Sequence, residues 1–239
     1  MFTMIREAHR CGRPLTRHQL TEAGRDIRLF PGVEGWFGRI NAFGASLGVT
    51  VEHYIISSGL KEILEGCSIG AEFKEIFASE FYYGEDGEAA WPKLAVNYTS
   101  KTQFVYRINK GVLDVSDDKT LNDSMPDDSK RVPFTNMIYL GDGLSDVPCM
   151  KMMQSYGGAS IAVYKEMGQS VKDLLERGRV DYIYPADYRE GTGLDRTVKN
   201  IIRKMATADA LSEENARQLQ MIRRSEELSG QITLEQMDR

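Results

Sequence analysis

The spacing of apolar residues changes along the chain and divides it into helical and extended segments. Where apolar residues recur every three or four positions, they share one face of a helix, so these stretches predict helices. The predicted helices are residues 1–10, 33–47, 60–66, 147–154, 167–177, 194–205 and 211–228. Another opens at Thr16, which forms a capping box with Gln19, and one more runs from Thr99 or Ser100 to Gly111.

Short runs of apolar and β-branched residues predict strands at 49–57, 136–140, 159–164 and 180–184. Because these strands alternate with helices, we predict an α/β fold with a Rossmann-like parallel sheet and flanking helices. Residues 75–83 and 88–91 flank Gly84-Glu85-Asp86-Gly87, and this turn sequence predicts a β-hairpin, which we interpret as a flap outside the core sheet.

Composition narrows the class of protein. The 239 residues are 41% hydrophobic, and 30 basic against 35 acidic residues give a net charge of −5, so we expect no nucleic-acid partner. No apolar stretch approaches the roughly 18 residues of a membrane span. The charged first segment predicts a cytoplasmic protein without a membrane partner. Three cysteines without a CxxC pair predict neither disulfides nor a zinc site.

Two sequences follow predicted strands and therefore lie where open parallel sheets collect ligands. Ser57-Ser58-Gly59 offers a hydroxyl and an open backbone for a phosphate oxygen, although taken alone the motif is better explained as a tight turn of small residues. In Gly141-Asp142-Gly143-Leu144-Ser145-Asp146, the two carboxylates suit Mg²⁺. The alternative is an Asp-Gly turn followed by a helix cap at Asp146.

Lys101 stands at a predicted helix start, where a cation is unfavourable unless a phosphate or a carboxylate compensates it. Solvent exposure is the simpler explanation for an isolated lysine. Taken in order, Ser57, Lys101 and the segment from Gly141 to Asp146 resemble the second, third and fourth motifs of the haloacid dehalogenase-like hydrolase superfamily. The similarity is nearest to its phosphoserine-phosphatase-like branch and covers roughly residues 14–200.

The resemblance implies a role for each of these residues. Asp142 and Asp146 would hold Mg²⁺, Ser57 would bind the transferring phosphoryl group together with Ser58 and Gly59, and Lys101 would neutralise its charge. Ser57 and Lys101 are thus the expected catalytic residues. The domains expected are a helical cap remnant (1–30), the α/β core (31–205) and a C-terminal helical tail (206–239).

The family's first motif, an Asp-x-Asp pair at the end of the first central strand, has no counterpart here. In the family that strand lies between the strands that end at Ser57 and Gly141, so we expect two sheet edges without a partner. We also expect Met1 to be an internal position of a longer reading frame.

Two functions follow from the resemblance. In the first, the complete protein is a Mg²⁺-dependent phosphatase of a small phosphorylated metabolite that works through an aspartyl-phosphate, and the 239-residue chain is inactive. In the second, the chain is a non-catalytic relative that binds a phosphate-bearing ligand or a protein partner. The sequence predicts neither the substrate nor the oligomeric state.

Overall fold

The computed structural model describes residues 1–126 and 129–237, with side chains up to residue 224. Six strands lie within these residues: β1 (Tyr54–Leu60), β2 (Glu75–Tyr83), β3 (Ala89–Leu94), β4 (Ile138–Gly141), β5 (Ala159–Tyr164) and β6 (Tyr182–Pro185). The α-helices are α1 (Phe2–Arg10), α2 (Arg17–Gly24), α3 (Val33–Ser46), α4 (Lys61–Gly66), α5 (Lys101–Lys110), α6 (Asp118–Asn122), α7 (Val147–Ser155), α8 (Gln169–Glu176) and α9 (Gly193–Met237).

The strands form two sheets of three strands each. The first has the order β1-β2-β3, with β1 parallel and β3 antiparallel to β2, and the second has the order β4-β5-β6, all parallel. The fold is therefore of the α/β class with parallel strands, as predicted. The hairpin differs from the prediction, because β2 is the buried middle strand of the first sheet, with Phe77 and Ala78 in the core.

Other boundaries also differ from the prediction. β1 begins at Tyr54 rather than at residue 49, since Val49 and Val51 pack against the core without pairing to another strand. The predicted helices 194–205 and 211–228 are one helix, α9, because the residues 206–210 contain neither Gly nor Pro to end it. The last two residues of the predicted tail lie outside the described residues. No described helix, α9 included, is both long and apolar enough to cross a membrane.

Two hydrophobic clusters lie on opposite faces of β4, and one of them also contains side chains of the first sheet. On one face, α3 and α9 pack on β5, and Ile138 and Leu140 of β4 join this cluster. On the opposite face, α5 and α7 pack on Phe77 of β2, and side chains of both β1 and β4 take part, among them Ile56 and Tyr139. The two sheets thus lie within one layered body although no hydrogen-bonded ladder joins them among the described strands.

β1 and β4 each lie at the edge of a sheet. Within the described residues, β1 pairs only with β2 and β4 only with β5. Most residues of β1 and β4 are half-buried, whereas the middle residues of β2 and β5 are buried. Unpaired backbone groups at these edges cost free energy wherever water cannot reach them.

The first two helices pack on the hairpin. Ile5 of α1 and Leu20 of α2 form a small cluster with Phe81 and Ala89 of β2 and β3. Beside it, the fully buried Glu62 of α4 accepts hydrogen bonds from the backbone N–H of Phe81 at 3.1 Å and from the hydroxyl of Tyr83 at 2.7 Å. These contacts fix residues 1–24 to the outer part of the first sheet.

A charged cluster joins the amino ends of β1 and β4. Glu52 pairs with Lys74 and with Arg131, which precedes β4, and it accepts a hydrogen bond from the hydroxyl of Tyr54 at 2.7 Å. Arg131 also donates to that hydroxyl at 3.1 Å. The hydrogen bond from Arg131, followed by those from Lys74 and Tyr54, lowers the pKa of Glu52 from 4.5 to about 2 in spite of partial burial.

This cluster predicts a loss of stability in acid. Because the pKa of Glu52 is lower in the folded chain, its contribution is complete above pH 4.5 and disappears as the pH falls towards 2. We expect Glu52→Gln to remove about 1–3 kcal/mol of the unfolding free energy at neutral pH and to flatten its decline in acid. Urea titrations between neutral pH and pH 2 measure the unfolding free energy and its decline in acid. Glu214→Gln, in an exposed ion pair with Arg217, is the control and should change neither the unfolding free energy nor its dependence on pH. If the unfolding free energy of Glu52→Gln declines in acid as steeply as that of the wild type, the prediction is contradicted.

Candidate functional site

The predicted site residues lie at or after the carboxyl ends of β1 and β4, and at the start of α5. Ser57, Ser58 and Gly59 are in the last part of β1, and Asp142 follows directly after β4. Lys101 is the first residue of α5. In open parallel sheets this edge binds ligands, because the loops vary there and the following helices point their amino ends towards it.

The structure brings Lys101 and Asp146 together. The ammonium of Lys101 lies 2.7 Å from Oδ1 of Asp146, and the two side chains are only 8% and 6% exposed. These residues are far apart in the sequence and belong to the predicted third and fourth motifs. The carboxylate supplies the compensation that a cation at the start of α5 requires.

The carboxylate of Asp146 has further donors on both oxygens. The hydroxyl of Tyr139 donates to Oδ1 at 2.8 Å, and the backbone N–H of Asp142 donates to Oδ2 at 3.2 Å. The side chain makes no capping bond to α7, so the simple helix-cap interpretation of Asp146 does not hold. Gly141 permits this arrangement, since a Cβ there would lie 2.6 Å from the Cβ of Asp146.

Tyr139 is the site residue that the sequence reasoning missed. Its ring packs in the core under α5 and α7, and burial, then the neighbouring Cys149 and Asp146, raise the pKa of its hydroxyl well above the ordinary value. Burial likewise raises the pKa of the Cys149 thiol to about 11, so this cysteine is protonated at neutral pH. The sequence could have indicated this residue, because it is a tyrosine in a short apolar strand and a buried phenol requires a hydrogen-bond partner.

Ser57, Ser58 and Gly59 do not form the predicted strand-to-helix turn. They lie within β1, where the register with β2 shifts between Ser57 and Leu60. The backbone N–H of Gly59 donates to Oγ of Ser57 at 3.0 Å, and Oγ of Ser79 donates to the carbonyl of Ser58 at 3.3 Å. Among the described contacts, the hydroxyl of Ser57 is bound to Gly59 and not to Lys101.

Asp142 is exposed at the end of β4. Burial, and then the carboxylate of Asp142, raise the pKa of Tyr188 to about 12. The main chain of Tyr188 is fixed, since its N–H donates to the carbonyl of Pro31 at 2.8 Å, and its ring packs edge-on against Trp36. Asp142 is therefore an exposed carboxylate at this edge that acts electrostatically on a fixed aromatic side chain.

The residues present do not by themselves fit a complete magnesium site. Both oxygens of Asp146 are bound by Lys101, Tyr139 and the backbone of Asp142. In the part of the chain that the structure describes, no three side chains of His, Cys, Asp or Glu are grouped as metal ligands. Mg²⁺ usually binds one or two carboxylates with water and substrate oxygens, so Asp142 is the one free carboxylate ligand of the predicted pair.

Comparisons with known proteins identify a related protein, but its function is not known. No family model matches the sequence. An uncharacterized protein of Borreliella burgdorferi is 28% identical over 200 residues, which span 75% of this chain and 68% of that protein.

Proposed function

We propose that the chain carries the phosphate-binding part of a haloacid dehalogenase-like phosphatase that acts on a small phosphorylated metabolite. The observation that supports this most is the buried pair of Lys101 and Asp146, 2.7 Å apart. It joins two of the ordered motifs beside the carboxyl edge of the sheets. A buried ion pair is seldom the most stabilising choice for a core, which favours a functional reason for it.

In this proposal Lys101 is the phosphate ligand. An ammonium has three N–H donors, and Asp146 accepts one of them, so the remaining donors are available to phosphoryl oxygens. Ser57 would give a second contact, because its Oγ only accepts from the N–H of Gly59 and its O–H can still donate to the ligand. Ser58 and Gly59 are both exposed beside it and leave room for a phosphoryl group.

Magnesium remains part of the proposal through Asp142 alone. A bound Mg²⁺ would neutralise charge on the phosphoryl oxygens. Because Asp146 is occupied by Lys101 and Tyr139, the other carboxylate ligands would have to come from a segment outside the described fold. We assign no reaction step to the metal in this chain.

We further propose that a strand fits between β1 and β4 and completes the site. Three observations support it: both edges are unpaired among the described strands, one hydrophobic cluster contains side chains of both β1 and β4, and the cluster of Glu52 and Arg131 holds the amino ends of β1 and β4 together. A strand beside β4 would face the clusters that cover the two faces of β4, so we expect an apolar segment. In this view residues 1–30 are the remnant of a helical cap.

A second candidate is a non-catalytic protein that binds a phosphate-bearing ligand or a partner. The observation that favours it is the occupation of Asp146. Among the described residues, no other carboxylate pairs with Lys101, so no nucleophile is assigned beside its ammonium. We expect the 239-residue chain to bind phosphate if it is part of a phosphatase or a binder of a phosphate-bearing ligand, and to show no turnover in either case.

Phosphate binding is the direct test. Calorimetric titration with inorganic phosphate should detect binding to the wild type, and Lys101→Met should weaken it roughly tenfold or more, because a charge-assisted hydrogen bond is lost. Lys93→Met is the matched control, as this lysine is 54% exposed and pairs with Glu80. Equal affinities of Lys101→Met and wild type would contradict the proposed role.

A further inference from the structure

Tyr139 and Lys101 meet on a single carboxylate oxygen. The tyrosine hydroxyl lies 2.8 Å and the lysine ammonium 2.7 Å from Oδ1 of Asp146, while the N–H of Asp142 binds Oδ2. A carboxylate with donors on both oxygens cannot rotate without breaking one of these bonds. The position of Oδ1, and with it that of the ammonium, is therefore determined by Tyr139 and the loop after β4.

Tyr139 is well placed to be the rigid member of this group. It lies in β4, which pairs with β5 from Ile138 to Gly141, and its ring is part of the cluster under α5 and α7. Lys101, in contrast, has a long flexible side chain that enters from the start of α5. A fixed phenol on a strand thus restrains a lysine on a helix through the carboxylate between them.

We propose that Tyr139 is a positioning residue that holds the ammonium of Lys101 in place through Asp146. Asp146 then acts first as the carboxylate partner of Lys101, which agrees with the poor fit of its occupied oxygens to a metal. That the ammonium meets a phosphoryl group rests on the proposed function. The restraint itself follows from the contacts and is tested separately.

The test measures how freely the ammonium of Lys101 leaves its carboxylate. Brief labelling of the full chain with an acylating amine reagent, followed by peptide mass spectrometry, gives the labelling rate of each lysine. In Tyr139→Phe we expect the rate at Lys101 to rise roughly tenfold, since one hydrogen bond to a charged group is lost, while Lys93 remains unchanged. Thermal unfolding is recorded in parallel to check that the variant is folded.

Tyr54→Phe is the matched control. It also removes a tyrosine hydroxyl that donates to a carboxylate, Oε2 of Glu52 at 2.7 Å, but at the other end of the strands. If the hydroxyls only stabilised the fold, both variants would change the labelling rate of Lys101 equally. The proposal is therefore overturned if Tyr139→Phe leaves this rate unchanged, or if Tyr54→Phe raises it as much. If only Tyr139→Phe raises the rate, the restraint is supported. Absence of phosphate binding to the wild type would then count against the proposed function alone.

Discussion

Replacing Asp146 by leucine will lower the free energy of unfolding by about 3–5 kcal/mol. The substitution leaves the ammonium of Lys101, on a side chain 8% exposed, inside the protein without its carboxylate. It also removes the acceptor of the Tyr139 hydroxyl and of the Asp142 N–H. Desolvation of an unpaired charge costs far more than the net gain from an exposed ion pair.

Urea unfolding at neutral pH measures this loss. The double variant Lys101→Met/Asp146→Leu should recover most of it, because two apolar side chains then replace both charges. Lys93→Met, at an exposed ion pair, should change the unfolding free energy by less than about 1 kcal/mol. A loss under about 1 kcal/mol in Asp146→Leu, or a double variant less stable than the single one, would show that the pair carries little energy.

The class of fold could be predicted from the sequence because its signals are local. Alternating apolar strands and helices indicated parallel α/β architecture, and the capping box at Thr16 is formed, with both of its hydrogen bonds. The strand ends were harder to predict. Val49 and Val51 have strand-like character but pack on α3 and its neighbours without a partner strand, which no local pattern reveals.

At the site too, features that depend on local sequence could be predicted, whereas those that depend on tertiary contacts could not. A lysine at a helix start left two explanations open, solvent exposure or a compensating anion, and in the structure the carboxylate of Asp146 is that anion. The role of Tyr139 depends on the register of β4 and on the packing of α7. Residue types and their spacing in the sequence therefore could not predict that role. Ser58 and Gly59 were predicted in a turn after the strand, yet they lie within β1, where the register shift depends on pairing with β2.

The largest change in function is expected when a strand is supplied between β1 and β4. The 239-residue chain should not hydrolyse an aryl phosphate with Mg²⁺. A version extended so that an apolar strand ending in Asp-x-Asp precedes α1 should hydrolyse it, roughly 10⁶-fold or more above the uncatalysed rate. The strand would pair with both free edges, so hydrogen exchange of the β1 and β4 amides should slow roughly a hundredfold or more.

Hydrogen exchange tests where the added strand pairs, and hydrolysis of the aryl phosphate tests whether the site is catalytic. The matched control carries Asn in place of the first strand aspartate, which should keep the slow exchange and lose the turnover, because an amide cannot attack phosphorus. Slow exchange without turnover in the Asp-x-Asp version would reject the phosphatase and leave the non-catalytic binder. Unchanged exchange in β1 and β4 would reject the strand position itself, since edges that remain unpaired gain no hydrogen bonds to protect them.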